Sequence, residues 1–273
     1  MNIKSDRTLT PFLKWAGGKR WFVAKHADLL PKTFNRYIEP FLGGGAVYFH
    51  LQPTAALLSD TNPDLIAAYL GIQQNWKGLI RSLKYHERRH SDQYYYEVRA
   101  RRPQNTIPQA SRMIYLNRTC FNGIYRVNLA GEFNVPRGSK NTVLADSDQF
   151  EAISKLLSGA KIDLADFEST IDSAIEGDFI FADPPYTVRH NFNGFVKYNE
   201  KLFSWEDQLR LSKSLKHARD RGVKIIVTNA NHPSIHEIYK DKGFRFVTTS
   251  RFSGISSKVE SRTQFEELII ISK

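Results

Sequence analysis

A short motif, Asp183-Pro184-Pro185-Tyr186, carries the residues best suited to chemistry. The Asp183 carboxylate and the Pro184 carbonyl form a pair of hydrogen-bond acceptors, because Pro185 has no amide hydrogen that would compete for them locally. Such a pair can hold both hydrogens of an aromatic amino group and turn its nitrogen lone pair towards an electrophile. The Tyr186 ring offers a flat face on which a base can stack. The motif therefore predicts a reaction at the exocyclic amine of a nucleobase, with a proline-rich structural loop as the alternative.

A glycine-rich turn over residues 39–46, with the sequence EPFLGGGA, follows a predicted strand. Three successive glycines let the backbone turn sharply and approach a ligand. A helix beginning there would direct its first amides at that ligand. Asp60 ends the next strand, where nucleoside-binding α/β folds hold ribose hydroxyls. The turn lacks the G-x-G-x-x-G spacing of dinucleotide sites, which counts against a dinucleotide such as NAD, and a purely structural turn is the alternative.

The elements that position these motifs are strands alternating with helices. Short apolar runs bounded by turn residues predict buried strands. These strands cover 37–41, 56–59, 161–164, 179–182, 223–228, 244–249 and 268–272. A helix is predicted over 205–221, with Ser204 and Asp207 able to cap its start and Gly222 after its end. This alternation is typical of a mainly parallel sheet covered on both faces, which is an α/β fold.

The alternation breaks between about residues 63 and 150, where apolar residues follow a helical spacing and a polar, aromatic and arginine-rich stretch follows. A helical module inserted into an α/β core explains this break. We therefore predict a discontinuous catalytic domain over 1–63 and 151–273, and an inserted target-recognition domain over 64–150.

The net charge is concentrated in that module. Residues 77–140 hold 13 basic and 4 acidic side chains, which is +9 of the net +11 carried by the whole chain. A local positive field of this size attracts a polyanion, since neutralising phosphates releases counterions. Nucleic acid is the favoured partner, and a solvated basic surface without a partner is the alternative.

Composition excludes several other classes of protein. Cys120 is the only cysteine, so an internal disulfide and a cysteine-based metal site are excluded. No apolar run approaches the length of roughly 18 residues that a membrane helix needs, and residues 1–9 lack the apolar core of a signal peptide. We expect a cytoplasmic monomer that uses no metal and does not contact a membrane.

Taken in order along nearly the whole chain, the motifs resemble those of the Dam-like (D12 class, alpha group) site-specific DNA adenine-N6 methyltransferases. Residues 12–19 (FLKWAGGK) are similar to the family's N-terminal signature, 39–46 to its cofactor loop, 59–62 to its acidic segment and 183–186 to its catalytic motif. The resemblance implies a Rossmann-like S-adenosylmethionine-dependent methyltransferase sheet with an inserted helical DNA-recognition domain. It implies cofactor contacts at Trp15, Lys19, Glu39, Phe41, Gly43, Gly45, Asp60, Asp166, Phe167 and Asp183, and catalysis by Asp183, Pro184 and Tyr186.

Residues 115–128 and 131–136 resemble the family's DNA-reading segment. The DNA-binding residues this implies are Arg118, Phe121, Asn122, Ile124, Arg126, Asn128, Pro136, Arg137 and Lys140. Arg126 would grip a guanine edge, and Phe121 with Asn122 would fill the space left by a flipped adenine. We interpret Arg118, Arg137 and Lys140 as phosphate contacts. The sequence departs from the Dam pattern at Thr119, Cys120 and Arg137, so a GATC-like target is a hypothesis.

Two further segments match the family after the catalytic motif. Residues 187–203 resemble a loop that closes over the flipped base, where Phe195 and Tyr198 could complete the base pocket. Arg189, His190 and Lys197 lie in the same loop, and we interpret His190 as solvated or facing phosphate. Residues 262–271 resemble the closing hairpin of the scaffold.

The function this implies is transfer of a methyl group from S-adenosylmethionine to N6 of a flipped adenine in duplex DNA, by a nucleoid-associated enzyme. One rival is methylation of cytosine N4, RNA adenine or a protein amide by the same fold. The aspartate at position 183, in place of serine or asparagine, favours adenine, and the recognition segment favours duplex DNA. Another rival is a DNA-binding protein on an inactive scaffold, although Asp183, Asp60 and Lys19 are all present. A partner nuclease, a phage and an orphan regulator are equally compatible settings.

Overall fold

The computed structural model describes residues 8–128, 130–188, 203–252 and 264–273. Its helices are α1 Arg20–His26, α2 Ala46–Leu51, α3 Pro63–Arg89, α4 Asp92–Ala100, α5 Thr106–Thr119, α6 Phe150–Leu157, α7 Phe167–Asp172, α8 Trp205–Asp220 and α9 Pro233–Tyr239. Its strands are β1 Tyr37–Glu39, β2 Ala56–Asp60, β3 Ala160–Leu164, β4 Phe179–Ala182, β5 Lys224–Ala230, β6 Phe244–Phe252 and β7 Gln264–Ser272. Within these described ranges, no helix is both long and apolar enough to cross a membrane.

The seven strands form one sheet in the order β3-β2-β1-β4-β5-β7-β6. The pairs β2–β3, β1–β4 and β4–β5 are parallel, whereas β7 runs antiparallel to both β5 and β6. The strand order reverses between β1 and β4, because the chain places β2 and β3 on one side of β1 and then returns to its other side. The predicted α/β fold with a Rossmann-like, mainly parallel sheet is confirmed.

Each of the seven predicted strands is present. The observed bounds differ from the predicted ones where hydrogen bonding between backbones, and not the side-chain pattern, determines where a strand begins or ends. Strand β1 ends at Glu39, two residues earlier than predicted, since Pro40 has no amide to donate to a neighbouring strand. Strand β7 begins at Gln264, four residues earlier than predicted, because β6 pairs with it as far as Phe252. The apolar pattern captured only the apolar end of β7.

The predicted helix over 205–221 is α8, and the signals predicted for its start and its end are confirmed. The Ser204 hydroxyl accepts from the Asp207 amide at 3.1 Å, while the Asp207 carboxylate accepts from the Ser204 amide at 2.9 Å, which is a capping box. Gly222 follows the helix with a φ of 86°, a conformation that favours glycine. The buried face carries Leu211 and Leu215.

The chain divides into two compact units. The first comprises Met1–Leu29 and Leu42–Ala165, and the second comprises Leu30–Phe41 and Asp166–Lys273. The predicted recognition domain, 64–150, lies within the first unit and is not a compact unit of its own. The reason is α3, which packs against β2, β3 and α6 as well as against α5. The functional division at residues 63 and 150 stays a prediction.

Helix α3 begins where the Asn62 side chain accepts from the amides of Asp64 and Leu65. It is interrupted at Asn75, whose backbone is non-helical (φ −156°, ψ 65°) and whose side chain accepts from the Gly78 amide at 2.9 Å. A second cap inside the helix therefore changes its direction. After this point α3 buries Leu79, Leu83 and His86.

His86 lies in a buried polar cluster between α3, α4 and α5. Its Nδ1 is 2.9 Å from the Tyr94 hydroxyl, its Nε2 is 3.4 Å from the Ser111 hydroxyl, and its ring stacks on Tyr115. Burial, and secondarily the charge of Arg101, lowers the pKa of His86 from 6.5 to about 4. The imidazole is therefore neutral in the folded protein at neutral pH.

We expect this histidine to weaken the fold in mild acid. Between the unfolded pKa of 6.5 and the folded pKa of about 4, the unfolded chain binds the proton preferentially, so stability is lost as pH falls through that window. Urea unfolding at pH 7 and pH 5 should show the wild type losing about 1–2 kcal/mol more than His86→Gln. The exposed His217→Gln should behave as wild type, and equal losses in all three proteins would refute the assignment.

Candidate active site

Two predicted site motifs emerge side by side in the second unit. Strand β1 leads into Pro40 and Phe41, strand β4 leads into Asp183, and the two strands pair in parallel with Ile38 opposite Ile180. Their carboxyl ends therefore meet at one edge of the sheet, at the point where the strand order reverses. Open α/β sheets bind ligands at such a point.

An aromatic cluster follows β1 at this edge. The Phe41 and Phe167 rings stack with centroids 5.4 Å apart, and Phe203 packs edge-on against Phe41 at 5.6 Å. The Arg210 guanidinium lies 4.3 Å from the Phe167 ring centroid and binds the Asp166 carboxylate at 2.9 Å. Asp166 also caps α7 by accepting from the Glu168 amide. The structure thus brings the predicted Phe41, Asp166 and Phe167 into one group with Arg210.

The catalytic motif lies beside a set of polar side chains from β5 and β7. The Thr228 hydroxyl donates to Asp183 Oδ1 at 2.7 Å, and the Tyr186 hydroxyl donates to Glu267 Oε2 at 2.8 Å. Burial, with the nearby charges of Asp183 and Glu267, raises the pKa of Tyr186 well above its usual value. The tyrosine is therefore a permanent hydrogen-bond donor, and the orientations of Asp183 and Tyr186 are both fixed.

The first unit holds the predicted cofactor residues Trp15, Lys19, Gly43, Gly45 and Asp60. The indole of Trp15 packs against the glycine turn: a Cβ added at Gly43 would lie 2.9 Å from Trp15 Cδ1, and Gly43 has a φ of 47°. At Gly45 (φ 64°) an added Cβ would lie 2.8 Å from the Tyr69 hydroxyl. Both positions therefore require glycine. Trp15 also stacks on Tyr125, with the ring centroids 5.3 Å apart.

Asp60 ends β2 and closes the glycine turn. Its Oδ2 accepts from the Gly43 amide at 3.2 Å and its Oδ1 from the Asn62 amide at 3.0 Å. Burial raises the pKa of the Asp60 carboxyl, while these backbone hydrogen bonds act in the opposite direction. The Gly43 amide is directed at Asp60, which differs from the expectation that the turn amides face a ligand. Lys19 is buried and donates to the Gly17 carbonyl at 2.7 Å, and Glu39 is buried at the end of β1.

The DNA-reading segment lies in the first unit, where it begins as the end of α5 and continues as an irregular hairpin closed by the bridge between Val127 and Phe133. Arg126 is exposed on this hairpin, and its Nε donates to the Asn134 side chain at 2.8 Å. Asn128 forms the turn by accepting from the amides of Ala130 and Glu132. The Arg126 guanidinium is therefore exposed to solvent, and the Asn134 side chain orients it.

The middle of this segment exposes an aromatic side chain of the kind that a protein core normally buries. Phe121 is 54% exposed, which argues against core packing, and Asn122 adopts a left-handed backbone with a φ of 55°. Its carbonyl accepts from the Lys14 ammonium. Ile124 is half-buried, Pro136 is exposed and accepts from the Phe121 amide, and Lys140 is exposed.

Two predicted phosphate contacts have protein partners instead. Arg118 makes a two-pronged ion pair with Asp148 at 2.6 and 2.8 Å and also donates to the carbonyls of Val143 and Phe12. Its guanidinium therefore holds the module together, which argues against a phosphate contact. Arg137 pairs with Asp92 and the Asn141 side chain, both at 2.6 Å, so its availability to DNA is reduced.

Cys120 is buried, and burial raises the pKa of its thiol to about 11, as expected of a packed residue.

Sequence reasoning missed four residues that contact the predicted site: Glu267, Thr228, Arg210 and Tyr125. The signal available for Glu267 and Thr228 was a polar residue at an inward position of an otherwise apolar strand.

Arg189, His190, Phe195, Lys197 and Tyr198 of the predicted closing loop lie outside the described residues. Among the residues that the structure does describe, no group of three His, Cys, Asp or Glu side chains could hold a metal ion.

Comparison with known proteins identifies the family. The profile of the D12 class N6 adenine-specific DNA methyltransferases matches residues 15–255. The Type II methyltransferase M1.LlaDCHI of Lactococcus lactis subsp. cremoris is 36% identical over 99% of this chain and 98% of its own. The DNA adenine methylase of Haemophilus influenzae is 32% identical over 99% and 96%. The DNA N-6-adenine-methyltransferase of Escherichia phage P1 is 36% identical over 91% of this chain, which spans 33% of that longer protein. The chain belongs to the D12 class of N6 adenine-specific DNA methyltransferases.

Proposed function

We propose that this adenine-specific DNA methyltransferase takes its methyl group from S-adenosylmethionine and acts on an adenine flipped out of duplex DNA. The family implies a methyl donor and a DNA substrate. When bound, S-adenosylmethionine supplies an electrophilic methyl group on a positively charged sulfur. The residues of this chain bind the two substrates, orient the acceptor amine and exclude water.

The side chains present fit this cofactor chemically. Asp60 offers two carboxylate oxygens, whose backbone hydrogen bonds leave acceptor capacity for the ribose hydroxyls. Phe41 is half-buried and offers aromatic surface to the adenine ring, and the buried Phe167 supports it by stacking. Trp15 packs against the glycine turn, where a side chain at Gly43 or Gly45 would clash, and Lys19 is buried beside Gly17. We also assign a cofactor contact to Glu39 and Asp166, on the strength of the motif resemblance.

Asp60→Asn should weaken S-adenosylmethionine binding by about 10- to 100-fold, because hydrogen bonds to a charged acceptor contribute about 1.5–3 kcal/mol. Since the pKa of Asp60 is raised, wild-type affinity should fall as pH drops through that raised pKa, whereas the variant's affinity should stay flat. Calorimetric titration with the cofactor across pH 4.5–8 measures both effects. Asp163→Asn, on the neighbouring strand β3, is the control, and an unchanged Kd for Asp60→Asn would remove the residue from the site.

Catalysis rests on holding the acceptor amine. Asp183 and the Pro184 carbonyl accept the two N6 hydrogens of adenine, and these hydrogen bonds strengthen as the nitrogen gains positive charge during transfer. The ring of Tyr186 stacks on the base. No proton needs to leave before transfer, because the cationic product can lose its proton afterwards.

Recognition rests on the hairpin of the first unit. Arg126 reads a guanine edge, Phe121 and Asn122 fill the space vacated by the flipped base, and Lys140 contacts phosphate. Ile124, Asn128 and Pro136 complete the assigned DNA surface. GATC is the first target to test, and the name Type II methyltransferase carried by the L. lactis relative favours a restriction–modification setting. We further propose that the enzyme acts as a monomer.

The single observation that carries this proposal is the Asp183 carboxylate, which Thr228 holds beside Pro184 at the carboxyl end of β4, where the strand order reverses. The test uses labelled S-adenosylmethionine with duplex DNA, single-stranded RNA and protein acceptors, followed by nucleoside analysis. N6-methyladenine formed in duplex DNA alone is the expected product. N4-methylcytosine or methylated RNA would overturn the acceptor, and DNA binding without any transfer would indicate an inactive scaffold.

A further inference from the structure

A chain of buried polar side chains lies against the catalytic motif and has no part in the mechanism above. Glu267 is 2% exposed, and Thr228, Asn229 and Gln208 are fully buried. Polar groups in such surroundings are costly unless they are hydrogen-bonded, and an ionisable carboxylate is the most costly of them. Apolar residues would fit these positions in the sheet at lower cost, since Leu268, Ile269 and Ile270 follow Glu267 in sequence and are themselves buried.

Sheet topology explains how these residues reach the motif. Strand β5 runs parallel to β4, so Thr228 and Asn229 near its carboxyl end lie at the same edge of the sheet as Asp183. Strand β7 runs antiparallel to β5 and places Glu267, near its beginning, opposite Ala230. Because β7 is antiparallel to both of its neighbours, its first residues place the Glu267 carboxylate at the edge of the sheet where β4 and β5 end.

The side chains form two connected branches. In the first, Thr228 donates to Asp183 at 2.7 Å and Tyr186 donates to Glu267 at 2.8 Å, and the two hydroxyls lie close to each other. In the second, Asn229 donates to the Gln208 side chain at 3.1 Å. Gln208 in turn donates to the Pro185 carbonyl at 3.3 Å. Three of the four motif residues are thus held by side chains outside the motif.

We propose that Glu267 is a positioning residue for methyl transfer, acting through Tyr186, and that Thr228 acts in the same way through Asp183. This inference rests on the proposed function. Glu267 holds the tyrosine hydroxyl, and that contact fixes the plane of the ring on which the target base stacks. Thr228 fixes the rotation of the Asp183 carboxylate about its side-chain bonds.

Loss of such positioning has a characteristic kinetic effect. The base still enters the site, but its amine samples a wider range of orientations relative to the methyl donor. Misplacement by about 1 Å can cost about 100-fold in rate. The effect therefore falls on kcat, while KM for DNA and the Kd of the cofactor stay near wild type.

The test is a double-mutant cycle on Tyr186→Phe and Glu267→Leu, with Glu267→Gln as the conservative variant. Each single change should lower kcat by roughly 10- to 100-fold. The double variant should be no slower than the slower single one, because both remove the same contact. Glu267→Gln, which keeps an acceptor oxygen for the tyrosine, should recover most of the rate. Glu266→Gln, its exposed neighbour on β7, should match wild type.

A second readout separates positioning from folding. Duplex DNA with 2-aminopurine at the target base should become fluorescent on binding to every variant, with an altered emission intensity for Tyr186→Phe and Glu267→Leu only. Circular dichroism at the assay temperature confirms that each variant is folded, and Tyr186→Phe and Glu267→Gln keep the cycle interpretable if Glu267→Leu does not fold. Additive losses in the cycle, or losses confined to KM, would overturn the inference while leaving the function intact. A wild type that fails to methylate adenine would overturn the function itself.

Discussion

Asp183→Ala is expected to lower kcat for adenine methylation by about 1,000-fold or more, while DNA affinity stays within about twofold of wild type. The carboxylate accepts one of the two amine hydrogens and is held in place by Thr228, so its loss removes an interaction that strengthens only in the transition state. Single-turnover methylation rates and fluorescence anisotropy with a labelled duplex measure the two quantities separately.

Asp172→Ala is the matched control, because this exposed aspartate ends α7 in the same unit and has no assigned role. It should leave both quantities unchanged. Turnover by Asp183→Ala at a rate near wild type would remove the residue from the catalytic role. A parallel collapse of DNA affinity would show that the change acts through binding instead.

Arg126→Ala is expected to cost about 1–3 kcal/mol of discrimination at one base pair of the target, which is about 5- to 150-fold. The guanidinium is exposed, and its Nε is held by Asn134. Among the described residues no partner is recorded for its two terminal nitrogens. Methylation rates on a set of duplexes, each with one base pair changed, would show relaxed choice at a single position.

Lys140→Ala provides the contrast, because an exposed lysine that contacts phosphate carries no sequence information. This variant should bind all duplexes more weakly by a similar factor, and the dependence of log Kd on log salt should become shallower by about one unit. An unchanged preference in Arg126→Ala would show that another residue reads the base.

The sequence was informative where chemistry and local structure coincide. Tyr37–Glu39, Ala56–Asp60 and Phe179–Ala182 are strands because apolar, β-branched or aromatic residues fill them and turn residues end them. Ser204 and Asp207 signalled the start of α8 through a local hydrogen-bond pattern. The order of the motifs along the chain indicated the family, and the comparisons with known proteins confirm it.

Partners that are distant in sequence could not be predicted in this way. Nothing near Arg118 indicates that Asp148, thirty residues later, takes its guanidinium, so an arginine in a basic stretch was interpreted as a phosphate contact. Glu267 meets Tyr186 across 81 residues because β7 inserts antiparallel beside β5. Only the sheet order reveals that contact, and no local pattern encodes the sheet order.

The division of the chain shows the same limit. A break in strand–helix alternation marked residues 64–150, but α3 continues from the sheet into the module without ending at a boundary. Apolar spacing along a helix reports which face is buried and does not report what covers it. Leu65 and Leu79 are both buried on α3, and the spacing treats them alike, although Asn75 interrupts the helix between them.

The most direct test of the central claim is single-molecule sequencing of genomic DNA from a methylation-free host that expresses this chain. We expect N6-methyladenine at nearly every copy of one short motif, and no such signal from a host that expresses Asp183→Ala. Modification of cytosine N4, or a genome without modified bases despite abundant folded protein, would contradict adenine-specific DNA methylation by this site.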